Sequence, residues 1–112
     1  MKMIRRSAAL IATVFSTALL SGPALAGDTA LGRDKAKACA ACHGIDGVAK
    51  MPHVPNIAGE STIYLEKQLK AFRSGERHDP MMSIIAEGLS DDDIANVSAW
   101  YAAIKIEVTL PQ

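Results

Sequence analysis

The chain has 112 residues, room for one small domain. Twelve lysines and arginines balance twelve aspartates and glutamates, and 49% of residues are hydrophobic. Such a balance argues against nucleic acid or an anionic membrane surface as the partner.

The first stretch reads as an export signal. Lys2, Arg5 and Arg6 form a basic start, and Ala8 to Leu20 is an apolar run too short to span a bilayer comfortably. Ala24-Leu25-Ala26 is an A-x-A cleavage pattern, and Gly27-Asp28 opens a polar segment. Residues 1–26 are therefore expected to be a cleaved secretory signal, and residues 27–112 one domain. The domain then has 86 residues, with nine basic against twelve acidic side chains. A chain of that size is marginal for a core of its own. Its only aromatic residues are Tyr64, Phe72, Trp100 and Tyr101.

Asp28 can cap a helix running through Ala30 and Leu31 into the stretch Cys39-Ala40-Ala41-Cys42-His43. Gly32 lies inside that helix at a cost of about 1 kcal/mol against Ala, so close contact with another helix is the expected reason for it. Gly44 is expected to stop the helix.

C-x-x-C-H is a c-type haem attachment pattern. Cys39 and Cys42 are three apart, so on a helical turn both thiols face one side. There each can bond one vinyl group of a single porphyrin. His43 is four from Cys39, shares that face and can reach the iron as a ligand. A zinc site would need a second cysteine pair or histidines at ligand spacing, which His53 and His78 do not provide. A thioredoxin-like redox pair would need a preceding strand within a βαβ pattern, and none is present. A structural disulfide across four residues would constrain little unfolded-state entropy. The pattern holds the only two cysteines of the chain, behind an export signal. A buried porphyrin would also supply apolar mass that the composition lacks.

Residues 45–60 carry Gly47, Pro52, Pro55 and Gly59 and read as a loop, in which Met51 and His53 are both possible iron ligands by type but are expected to be loop residues near the haem edge. Glu60 or Ser61 opens the next helix. Tyr64, Leu65, Gln68, Leu69 and Phe72 recur at three and four along it, and Gly75 stops it. Residues 76–89 read as a second loop with the doublet Met81-Met82 after Pro80. Ser90 and Asp93 then form a capping box, with acidic residues in the first turn of the last helix. Ile94, Val97, Trp100, Tyr101 and Ile104 follow at helical spacing, Lys105 suits the end, and Val108 to Gln112 is a frayed tail. No strand pattern intervenes. The order is helix, loop, helix, methionine-bearing loop, helix.

Met51, His78, Met81 and Met82 are the candidates for a second iron ligand. Met51 follows His43 by only eight residues, too close to cross to the opposite haem face. His78 sits in a charged run, Glu76 to Asp79, that reads as solvated. The doublet remains, and spacing alone does not choose within it.

CAACHG, PNIAG at Pro55–Gly59, the run Tyr64–Arg77 and the run Met81–Ala102 together resemble the class I c-type cytochromes. Among these, the chain is most similar to the small soluble bacterial members whose domain also occurs in tandem diheme forms. The resemblance covers essentially the whole of residues 27–112. It implies an all-α cytochrome c fold, three main helices around one covalent haem c, with the first and last helices crossing near Gly32 and Trp100. It implies that the Pro55 carbonyl accepts a hydrogen bond from the His43 ring, fixing its tautomer. It also favours Met82 over Met81, because similar cytochromes place the ligand four residues before an Ala and seven before a Leu, as Met82 stands to Ala86 and Leu89.

A His/Met-ligated haem has no open position and favours electron transfer over oxygen chemistry. The expected function is a diffusible periplasmic one-electron carrier, with redox proteins as donors and acceptors, a monomer with no nucleic acid and no stable membrane insertion. A tightly bound haem subunit of a larger oxidoreductase, such as a flavoprotein dehydrogenase, is the alternative. A gas-binding sensor with a labile sixth position is the third reading.

Overall fold

The computed structural model describes residues 26–112. The segment read as an export signal thus lies outside the described residues, apart from Ala26. Five helices carry the described chain: α1 (Thr29–Lys35), α2 (Ala40–His43), α3 (Thr62–Ser74), α4 (Met82–Glu87) and α5 (Asp91–Ala103). No strand occurs among the described residues, as expected, and none of these helices is long and apolar enough to cross a membrane.

The caps follow the side chains read for them. Asp28 accepts hydrogen bonds from the Ala30 and Leu31 amides at 2.7 and 2.9 Å. Its own amide donates to Asn96 Oδ1 at 2.7 Å, which ties the start of α1 to α5. Ser61 caps α3, which Gly75 ends in the left-handed region at φ 81°. Ser90 and Asp93 complete the capping box of α5 by bonding each other's amides at 3.0 and 3.1 Å.

Two expectations are corrected. The first helix is not continuous to His43. After Lys35 the chain tightens into a 3₁₀ turn, Ala36–Ala38, and α2 starts afresh beyond Cys39. The Cys39 amide bonds the Ala36 carbonyl at 2.9 Å, three residues back rather than four. This tightening goes with Ala36 lying wholly inside the core. Second, the methionine-bearing loop contains a helix of its own, α4, and Met82 is its first residue.

The last helix is the hub. It packs on α1 and on α3, while α4 packs on α3. Ala36, Leu65, Val97 and Tyr101 form the central apolar cluster, with Cys39, Ile57, Leu69, Trp100 and Ile104 against it. The α3 stripe is buried at Leu65 and Phe72, with Ala71 beside them, but Tyr64 on its edge is 47% exposed. Lys105 lies beyond the end of α5, and the tail to Gln112 is irregular and exposed. Gly32 is buried where α1 meets α5. A Cβ there would stand 1.9 Å from the Asn96 carbonyl oxygen and 3.0 Å from Trp100 Cβ, so only glycine admits this approach.

Candidate functional site

The turn Cys39–His43 is fixed from inside and from both sides. The His43 amide closes it onto the Cys39 carbonyl at 2.9 Å. Gly44 then leaves the helix at φ 76°, a conformation that favours glycine. The Lys50 amide returns to the Cys42 carbonyl at 2.8 Å, so the loop that follows braces the second cysteine.

From the opposite side α5 grips the carbonyls just after His43. Trp100 Nε1 donates to the Ile45 carbonyl at 3.0 Å, and the Tyr101 hydroxyl donates to the Gly44 carbonyl at 2.9 Å. Burial pushes the Tyr101 hydroxyl well above its ordinary range, so it stays a donor. Sequence reading placed both aromatics at helical spacing with the apolar residues of the last helix but missed these bonds. The available signal is that a buried indole or phenol needs a polar partner; the partner itself is 55 or 57 residues away and leaves no periodic trace.

Cys39 and Cys42 are half-buried, unbridged thiols three residues apart. Burial, with Cys42 beside it, raises the Cys39 thiol above its ordinary range. His43 is buried, and its Nδ1 lies 2.9 Å from the Pro55 carbonyl oxygen. A carbonyl only accepts, so Nδ1 carries the proton and the lone pair is on Nε2. Pro55 lies within the loop that was expected to supply this bond. Met51 and His53 are exposed on that same loop, and His78 is exposed ahead of α4.

Met82 stands on a different element from the attachment turn. It is half-buried at the head of α4, whereas Met81 is 59% exposed. Four residues on from Met82, and so on the same helix face, Ala86 is wholly buried.

A family model described as Cytochrome c matches residues 29–104. This chain belongs to the cytochrome c family. Cytochrome c-554(548) of Halomonas halodenitrificans is 47% identical over 81 residues, covering 70% of this chain and 98% of the relative. The crystal structure of reduced recombinant cytochrome c4 from Pseudomonas stutzeri superposes with a TM-score of 0.67 at 34% identity, covering 71% of this chain and 47% of that one. A thiosulfate dehydrogenase electron acceptor of Stutzerimonas stutzeri is 43% identical over 70 residues, 62% of this chain and 32% of the relative. The chain thus spans nearly the whole of one relative and half or less of the other two.

The fold is the all-α cytochrome c fold, and the function is electron transfer rather than catalysis on a substrate. A cytochrome c of this family carries covalently bound haem c, and the donor set here fits that group. Two unbridged thiols share one turn, and the Pro55 contact of a buried imidazole leaves its Nε2 free, a donor set that could hold the group.

Proposed function

We propose that this cytochrome c is a periplasmic one-electron carrier with one haem, attached through Cys39 and Cys42 and ligated by His43 and Met82. When bound, haem supplies the Fe(III)/Fe(II) couple. The observation that carries the ligand assignment is the His43–Pro55 bond, which orients the imidazole and leaves Nε2 for the metal. For Met82 the support is its half-burial on the face of α4 that carries Ala86, against the exposure of Met81. Periplasmic location is supported by the basic, apolar and A-x-A pattern of residues 1–26.

The chain's own residues need to move little. His43 is held by the Pro55 carbonyl, and its turn by Trp100 and Tyr101. A turn held this firmly suits electron transfer, because a ligand set that keeps its geometry in both oxidation states adds little reorganisation. Its donors and acceptors are redox proteins that dock through small, rapidly exchanging interfaces.

Protein-film voltammetry and the ferric spectrum test the reading together. A reversible one-electron couple is expected, with a weak far-red charge-transfer band from the thioether–iron bond. Met82→Ala should abolish that band and open the reduced protein to carbon monoxide, while Met81→Ala should keep it. Loss of the band in Met81→Ala alone would move the ligand by one residue. Rapid carbon monoxide binding by the unaltered protein would favour the sensor reading instead.

A second reading is favoured by the similarity to a thiosulfate dehydrogenase electron acceptor. In that reading the chain serves as the electron-accepting subunit of an oxidoreductase. Size-exclusion chromatography of native extract, followed at the haem absorption, separates the two: a carrier elutes as a small monomer, a subunit with its dehydrogenase.

A further inference from the structure

We propose that Asp79 is a positioning residue for the Met82 ligand, an inference that rests on the Met82 reading above. Helix α4 has six residues and buries only Ala86, too little for a helix to hold itself in water. Its head is held by one side chain. Asp79 Oδ1 accepts from the Met81 amide at 2.9 Å and from the Met82 amide at 2.8 Å. The Asp79 carbonyl accepts from the Ser83 amide at 3.0 Å, and the Asp79 amide donates to Ser83 Oγ at 3.2 Å. Pro80 has no amide to satisfy, and its fixed φ suits the turn that leads into α4. Every amide from Met81 to Ser83 therefore ends on Asp79.

The other end is held from α3. Arg73 donates to the Leu89 carbonyl at 2.9 Å and also bonds the Asp91 carboxylate. Two polar clamps thus hold an element with little apolar anchorage. A methionine side chain has three rotatable bonds and does not fix its own backbone. Asp79 Oδ1 takes both amides of the methionine doublet and so sets the rotation of the first turn. That rotation decides which methionine shares the buried face of Ala86. Asp79 acts here as a hydrogen-bond acceptor.

The test is displacement of the methionine by imidazole in the ferric holo protein, followed in stopped flow by loss of the far-red band. Asp79→Ala should accelerate displacement by about two- to thirtyfold, the span that loss of an N-cap corresponds to. Asp79→Asn keeps an acceptor in place and should remain within about twofold of the unaltered protein. Asp79→Glu keeps the charge but moves the acceptor outward, so it should also exchange faster; its rate decides the question if Asp79→Ala does not accumulate. Glu76→Ala, an exposed carboxylate on the same segment, should change nothing. Exchange in Asp79→Ala or Asp79→Glu at the unaltered rate would overturn the proposal, as would exchange in Asp79→Asn as fast as in Asp79→Ala. Met82→Ala separates the two levels. If it keeps the band, the ligand reading fails and the inference with it. If it loses the band while the Asp79 variants exchange normally, only the inference fails.

Discussion

At Gly32 the backbones of α1 and α5 approach closely. The two nearest atoms that a Cβ would meet are backbone of Asn96, which cannot swing away as a side-chain tip can. Gly32→Ala gains about 1 kcal/mol of helix propensity but must push the helices apart, and a net loss of about 1–3 kcal/mol is expected. Chemical denaturation of the holo protein measures it; an unchanged or raised stability would show that the crossing yields. Trp100 lies on the same contact, half-buried, with its indole N–H on Ile45 and the Arg33 guanidinium 5.7 Å from its ring centroid. Trp100→Ala combines lost packing with an orphaned carbonyl and should cost about 2–4 kcal/mol, below the full range for a wholly buried ring. A cost under about 1 kcal/mol would place the ring outside the packing. The close approach at Gly32 was legible in the sequence, because a glycine inside a helix needs a reason. The Trp100 and Tyr101 bonds were not, since periodicity gives a face and never a partner.

At the scale of elements, what the sequence showed was the caps. Asp28, Ser61, Ser90 with Asp93, Gly44 and Gly75 all begin or end helices as their chemistry suggests. What escaped was the short helix α4. Six residues give less than two turns of periodicity, and Pro80 and Gly88 on either side read as loop. An Asp-Pro pair just ahead of it, with a carboxylate able to accept the first amides, was the signal available. The link between α1 and α5 is partly ionic. Lys35 lies 2.8 Å from Asp93, and this pair first, then the Ser90 amide, holds the Asp93 carboxyl below its ordinary range. A lowered folded value means that the contribution is complete above the unfolded pKa near 4 and is lost as pH falls through the folded value. Asp46 follows the same sign through the Val48 amide and Lys50. The thermal midpoint should therefore be level from about pH 7 to 5 and fall below about pH 4. Asp93→Asn keeps an acceptor for Ser90 but drops the ion pair, so its acid slope should be shallower. An unchanged slope would assign the acid sensitivity to other groups.

For the whole molecule, the order of the first, middle and last helices and the Cys39–His43 turn were readable because each rests on short-range chemistry. The family resemblance implied the crossing of α5 with α1, but the packing of α5 on α3 was not read, since nothing local in the sequence says which helix meets two others. Among the described residues the buried apolar set is Ala36, Leu65, Ala71, Phe72, Ala86, Ile94, Val97 and Tyr101. Three of these are alanines, so the chain's own core is small and Cys39 packs directly on it. Haem held at that cysteine would join the core. Cys39→Ala and Cys42→Ala should each lower the yield of folded protein strongly, and circular dichroism of the apo chain should show little helix. A cooperatively melting apo protein would show that the polypeptide suffices alone. The most direct test of the central claim is the intact mass of the protein exported by a host with a working haem-attachment system. The predicted value is the chain Gly27–Gln112 plus one haem, retained under denaturing conditions. A mass that contains no haem would contradict the account.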